Sequence, residues 1–152
     1  MRKTAKIFDV DGTLANVESA RHLLARTRTG GRNFHAFHAA AVDCPPHPHI
    51  VAETHKARAE GHVPIVVTAR EGIWYNSTLW WLLLNDVDFE YLFMRNIKDY
   101  RPDYIIKREI LVRIRESYDV VHWFDDNPNV LKLVEEEGIP FTKVPGWIDE
   151  GF

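Results

Sequence analysis

The stretch Ile7-Phe8-Asp9-Val10-Asp11-Gly12-Thr13-Leu14 constrains the fold more than any other in the chain. A run of β-favouring residues delivers two carboxylates, one residue apart, into a glycine turn. Alternation along a strand would point both side chains the same way. Like charges at that spacing cost energy unless a cation or a proton lies between them. The pair therefore asks for a metal, an unequal division of acid and base roles, or both. A short Asp-Gly-Thr run also suits an ordinary strand followed by a turn, so partners elsewhere in the chain must decide.

No neighbouring strand lies close in sequence to this first one, about Lys3 to Val10, as in a parallel sheet whose strands return after helices. Val63 to Arg70 is a continuous apolar run ending in a hydroxyl and a guanidinium, of the kind that buried parallel strands show. Tyr91 to Met94, Val120 to Phe124 and Phe141 to Val144 read as further strands. Between them fall helices: one through Ile50, Val51 and Ala57 to a stop at Gly61, and one from Ser77 to about Asn85. Pro102 and Asp103 open another, with apolar Ile106, Ile110 and Ile114, and Asn127 and Pro128 open a last one ending at Gly138. The alternation predicts an α/β fold, a doubly wound parallel sheet. A chain of 152 residues is expected to be a single domain, 1–152.

Residues 15–47 do not read as strand. They predict a helix from Glu18 to Arg26, a turn at Thr29-Gly30-Gly31-Arg32, and a helix from Phe34 to Ala41 capped by Asn33. Inserted directly after the first strand, this segment would be a small helical cap over the site, contributing Arg21, Arg26, Arg28 and Arg32. His35, His38, Cys44, His47 and His49 lie close in sequence but lack the two tight ligand pairs of structural zinc sites. The prolines of Cys44-Pro45-Pro46-His47-Pro48-His49 read instead as a rigid connection. The helix holding Leu79, Trp80, Trp81, Leu82, Leu83 and Leu84 is apolar almost all round and reads as core rather than as a base-stacking platform. Trp74 and Tyr75, just before it, are the aromatics expected to face a ligand.

Net charge is −3, so no uniformly basic coat for nucleic acid exists. The distribution is uneven: residues 1–32 and 95–115 each carry seven Lys/Arg against three acids, while nine acids face two bases from 116 onward. Converging beside Asp9, the basic segments would make an anion-attracting mouth; otherwise they are solvated helix faces. No apolar run reaches membrane-spanning length and the N-terminus has no apolar segment of signal type. With a single cysteine, Cys44, no intramolecular disulfide is possible, and a cytoplasmic location is expected.

In a doubly wound sheet the carboxyl ends of neighbouring strands lie together. Asp9 and Asp11 end the first, Thr68 and Arg70 the second, and Asp125 and Asp126 the fourth, with Lys107 arriving on a helix four residues after Asp103. Four carboxylates can hold a hard cation through oxygen, Mg²⁺ being the natural choice beside a phosphate. A hydroxyl, an arginine fork and an ammonium would hold the phosphate's remaining oxygens.

In that order, DVDGT, a strand-terminal Thr, a helical Lys and Asp-Asp resemble the four motifs of the haloacid dehalogenase superfamily of phosphatases. DVDGTLA, VVTARE, the spacing of Asp103 to Lys107, and FDDN are most similar to the 3′-phosphatase domain of phage-type polynucleotide kinase/phosphatases, over essentially the whole chain. The resemblance implies that Asp9 is a nucleophile forming an aspartyl-phosphate, and that Asp11 is the general acid and then base. It implies Mg²⁺ held by Asp9, the Asp11 carbonyl and Asp126, with Asp125 behind them or holding Lys107. Thr68 and Lys107 would bind the phosphoryl oxygens; Arg70 and Asp103 match further functional positions, and Arg21 is the candidate for an arginine after the first motif. The expected substrate is a phosphorylated nucleic-acid 3′ end. A nucleoside monophosphate or other small phosphoester, and a non-catalytic binding protein, are the alternatives. The kinase half of the resembling proteins has no counterpart, so kinase or ligase activity would come from a separate partner.

Overall fold

The strand-forming runs fold as β1 Lys3–Phe8, β2 Val63–Glu71, β3 Tyr91–Arg95, β4 Tyr118–Asp125 and β5 Phe141–Lys143. They pair, all parallel, in the order β3-β2-β1-β4-β5. The helices are α1 Phe34–Ala41, α2 Pro48–Ala59, α3 Tyr75–Leu84, α4 Asp103–Arg115 and α5 Pro128–Glu136. The computed structural model describes residues 1–24 and 34–145. The turn at 29–32, the Asn33 cap, Arg26, Arg28, Arg32 and the aromatic tail with Trp147 and Phe152 lie outside the described residues.

Alternation along the strands builds two cores. Ala5 and Ile7 of β1, Ile65 and Val67 of β2 and Trp123 of β4 pack with Ile106, Ile110 and Leu111 of α4 and Val130 and Val134 of α5. Phe8, Val66 and Phe124 turn to the other face, toward Ile50 and Val51 of α2, Trp81 and Leu82 of α3, and Phe37 of α1. Each Ile, Leu, Val and Phe among these contributes roughly 1.5–3 kcal/mol when fully buried. The predicted doubly wound sheet is therefore observed, and its winding reverses beside β1, the place where open α/β sheets bind ligands. Phe8 and Phe124 are register partners in adjacent strands, and their rings stack at 4.6 Å and 6°. That contact fixes the relative height of the two strand ends that carry Asp9 and Asp125.

Three expectations need correction. The β1 ladder ends at Phe8, not Val10. Residues 9–15 close into a turn, with Thr13 N bonded to Val10 O and Leu14 N to Asp9 O, so strand alternation does not set the Asp11 direction. The segment Glu18–Leu24 is a 3₁₀ helix rather than an α-helix. In α3, Thr78, Trp81 and Leu82 are buried, whereas Trp80 is 62% exposed and Leu83 and Leu84 also face outward. A helix laid on one sheet face buries one stripe only, whatever its composition. The capping expectation at Asn127 holds, its side chain accepting from Asn129 N at 3.0 Å. Among the described residues no helix is long and apolar enough to cross a membrane.

Candidate active site

A cavity of about 660 Å³ opens at the carboxyl ends of β1, β2 and β4. Asp9, Asp11, Arg21, Thr68, Arg70, Asp103, Lys107, Asp125 and Asp126, all named from sequence, line it. Residues far apart in the chain meet there because each sits just at or beyond a strand end or on the first turns of α4, except Arg21, which the 3₁₀ helix Glu18–Leu24 brings to the cavity.

Lys107 is the hub. It is 2% exposed, and its Nζ donates to Asp9 Oδ1 at 2.9 Å and to Asp125 Oδ2 at 2.8 Å. Burial works against its ammonium, yet Asp125 and Asp9 more than offset that and hold its pKa above the ordinary lysine value. Asp125 is fully enclosed, with Oδ2 also accepting from Trp123 Nε1 and Oδ1 from Asn127 N. Both of its oxygens are thus committed to protein donors, which suits a role of holding Lys107. Asp9 Oδ2 accepts from Thr13 Oγ1 at 3.0 Å, so the first carboxylate is oriented at both oxygens.

Asp11 belongs to a separate pair. The Arg70 fork grips it, Nε to Oδ2 at 2.9 Å and Nη2 to Oδ1 at 2.5 Å, while Nη1 donates to Thr78 Oγ1. Burial alone would raise the Asp11 pKa; Arg70 more than offsets it and holds the carboxyl below the usual range. The two like charges of the opening motif are therefore accommodated by different cations, one from α4 and one from the end of β2. Arg70, 2% exposed, orients Asp11 in this structure. Thr68 is buried at the same edge, and its Oγ1 accepts from Arg70 N, which leaves its own proton to donate to an incoming oxygen.

Asp9, Asp125 and Asp126 each bring an oxygen within 4.8 Å of the others, all three buried. One ammonium does not balance three carboxylates. Burial, then Asp125, pushes Asp9 up to about 7 against the pull of Lys107. Burial, then Asp9 and Asp125, pushes Asp126 up to about 9. A hard divalent cation fits this donor set. The turn is shaped for it as well: Gly12 has φ +83°, and a Cβ there would overlap Asp126 Oδ2. Only glycine lets the backbone pass so close to that carboxylate.

These shifts carry a sign for stability. The unfolded carboxyls titrate near 3.8, so between that value and about 9 the folded centre binds more protons than the unfolded chain. Without a cation, this centre lowers stability as pH rises through that window. The thermal midpoint in chelator is expected to be higher at pH 5 than at pH 8, with Mg²⁺ raising it more at pH 8. The cation effect should shrink in Asp126→Asn. A midpoint indifferent to Mg²⁺ at pH 8 would count against a metal here.

The anion-attracting mouth is realised in part. Arg21 lines the cavity and has no ion-pair partner among the described residues. Arg95 and Arg101 also line it, but their charges are matched internally. Arg95 donates to Ala69 O, Asp99 O and Asp103 Oδ1, and Arg101 pairs with Asp99 and Glu109. Asp103, expected at the substrate, is thus held by Arg95 at 2.7 Å while its carboxylate remains on the cavity wall. Thr13, Thr78, Arg95 and Trp123 escaped sequence reasoning; only their contacts reveal them, apart from the Thr13 of the Asp-Gly-Thr turn. Of the aromatics expected to face a ligand, Trp74 lines the cavity and Tyr75 does not.

A family model described as the polynucleotide kinase PNKP phosphatase domain matches residues 3–146. A chain of the Pnkp1/Rnl/Hen1 complex is 26% identical with TM-score 0.78, the match covering 94% of this chain and 46% of that one. A chain described in a Pnkp1/Rnl/Hen1 RNA repair complex is also 26% identical, with TM-score 0.77 and coverage of 94% and 42%. The chain thus spans less than half the length of these two. A haloacid dehalogenase-like hydrolase from Streptococcus pneumoniae shares the fold at 11% identity, with TM-score 0.65 over 93% of this chain and 84% of that one. No curated protein sequence matches.

Proposed function

Since the chain belongs to the polynucleotide kinase PNKP phosphatase domain family, a haloacid dehalogenase-type phosphatase, we propose that it removes 3′-phosphates from polynucleotide ends. The observation that carries this reading is the buried Asp9 carboxylate, oriented by Lys107 and Thr13, in one cavity with Thr68, Arg70 and Asp126. We take 1–152 as one phosphatase domain, with 15–47 as its cap.

Asp9 attacks phosphorus in line, forming an aspartyl-phosphate as the bond to the leaving oxygen breaks. Asp11 gives a proton to that oxygen. Because Arg70 holds the resting carboxyl below its usual pKa, this step requires Arg70 to turn from Asp11 toward the incoming phosphoryl group, so that Asp11 first takes up a proton. Ionised again beside Arg70, Asp11 then takes a proton from the water that attacks the intermediate, which frees phosphate and restores Asp9. Lys107 and Thr68 donate to the non-bridging oxygens, where charge accumulates. Mg²⁺, when held by Asp9, Asp126 and the Asp11 carbonyl, supplies further neutralisation of that charge. Arg21, at the cavity edge, is suited to the adjoining phosphodiester. The similar chains described in Pnkp1/Rnl/Hen1 complexes support a separate kinase or ligase partner, and the lone Cys44 suits a reducing, cytoplasmic setting.

A second reading, a phosphatase of nucleoside monophosphates or other small phosphoesters, is favoured by the internal pairing of Arg95 and Arg101. Few cations then remain to track a phosphodiester backbone. The test compares kcat/KM, with Mg²⁺, for a 3′-phosphorylated oligonucleotide, its 5′-phosphorylated isomer and the matching nucleoside 3′-monophosphate. The oligonucleotide 3′-phosphate is expected to be preferred over both. Equal values for the oligomer and the mononucleotide would replace the first reading by the second.

A further inference from the structure

Part of the cavity wall takes no part in phosphoryl transfer. Trp74, in the 3₁₀ turn after β2, meets His35 of the cap helix with ring centroids 5.0 Å apart, and His38 at 6.1 Å. His38 in turn lies 5.4 Å from Phe37. All four rings line the cavity that holds Asp9. Its volume of about 660 Å³ is that of a site for a drug-sized molecule, well beyond the needs of a phosphate alone.

Trp74 is not a member of the buried cluster that Trp81, Leu82 and Phe37 form with Ile50 and Val51. Trp74 is itself only half-buried and keeps part of its ring open to the cavity. Burial, against the pull of Asp11 and with Arg70 adding to it, holds His38 below the usual histidine pKa, which favours a neutral, flat ring beside the indole. Flat aromatic rings next to a phosphoryl site offer π-faces, and every nucleobase has a complementary one.

We propose that Trp74, backed by His35 and His38, is a stacking platform for the terminal nucleobase of the strand whose phosphate is removed. The inference rests on the nucleic-acid reading above and deepens it. The enzyme then recognises an unpaired terminal nucleotide through its base, with little regard to which base it is. The rival role for the same contacts is to clamp the cap helix against residues 72–74.

Two 3′-phosphorylated oligonucleotides separate these roles, identical except that the last nucleotide of one is abasic. On the wild-type protein the missing base is expected to cost about tenfold or more in kcat/KM, chiefly through KM. Trp74→Ala should lose a similar factor on the intact substrate and show no further loss on the abasic one. Trp74→Phe should restore most of the base dependence. An equal abasic penalty in wild type and Trp74→Ala, no penalty in wild type, or a kcat loss equal on both substrates would overturn the platform. Should the wild-type protein ignore 3′-phosphorylated oligonucleotides but hydrolyse adenosine 5′-monophosphate, the nucleic-acid reading alone fails. The same three proteins compared on adenosine 5′-monophosphate and ribose 5-phosphate then decide the platform, with the same outcomes.

Discussion

Asp9→Asn is expected to lower kcat by at least about 10⁴-fold while leaving the fold intact. The amide is nearly isosteric and keeps an oxygen that can accept from Lys107 Nζ, which now lies 2.9 Å from Asp9 Oδ1. What is lost is the charged nucleophile, and no other described carboxylate stands in its place. Asp11 is gripped at both oxygens by Arg70, and Asp125 at both by Lys107, Trp123 and Asn127. The substitution also relieves a buried crowd of three carboxylates, so stability in chelator should hold or rise, most visibly at pH 8. Single-turnover assays on a 3′-phosphorylated oligonucleotide, paired with thermal melts, read both effects. Residual turnover above a tenth of wild type would remove Asp9 as nucleophile.

Lys107→Met has the second large effect, and there stability and activity fall together. The side chain volumes are close, so the cost is electrostatic: Asp9, Asp125 and Asp126 remain buried with no cation among them. Removing one partner of a buried ion pair costs about 3–5 kcal/mol. The raised Lys107 pKa lies above any ordinary assay pH, so the wild-type protein keeps this stabilisation from pH 5 to pH 9. The pH dependence of the variant comes from the carboxylates. At pH 5 Asp9, raised to about 7 even beside Lys107 and further without it, is protonated, and the penalty shrinks; at pH 8 it is largest. Urea unfolding in chelator at the two pH values measures the difference. A variant as stable as wild type at pH 8 would mean that Lys107 does not carry this charge balance. Mg²⁺ should return part of the stability without returning activity, because no other buried ammonium faces Asp9 among the described residues.

The elements were legible because their signals are local. Val63–Val67 is apolar without interruption and opens a central strand, and Asn127-Pro128 caps and starts α5 as written. Where a signal depended on what lies opposite, sequence reasoning failed. Trp80, Leu83 and Leu84 look like core residues but lie on the outward stripe of α3. Arg95 and Arg101 look like a basic mouth, yet Asp99, Asp103 and Glu109 meet their charges across loop and helix. Asp103 itself turned out to be tied to Arg95, a residue with no motif around it.

The opening motif shows where the division falls. Chain chemistry alone established that two carboxylates sit at a strand end before a glycine turn, that Thr68, Asp125 and Asp126 occupy equivalent ends in a parallel sheet, and that Lys107 arrives on a helix. These follow from periodicity, capping and turn preference, which act within a few residues. Tertiary structure alone decided which cation serves which carboxylate. Lys107 is 98 residues from Asp9, and Arg70 is 59 from Asp11. It also decided that α1 would set His35 and His38 against Trp74. Coulombic and ring contacts act through space, over a few ångströms that sequence distance does not measure, and so they appear only when the sheet has brought its strand ends together.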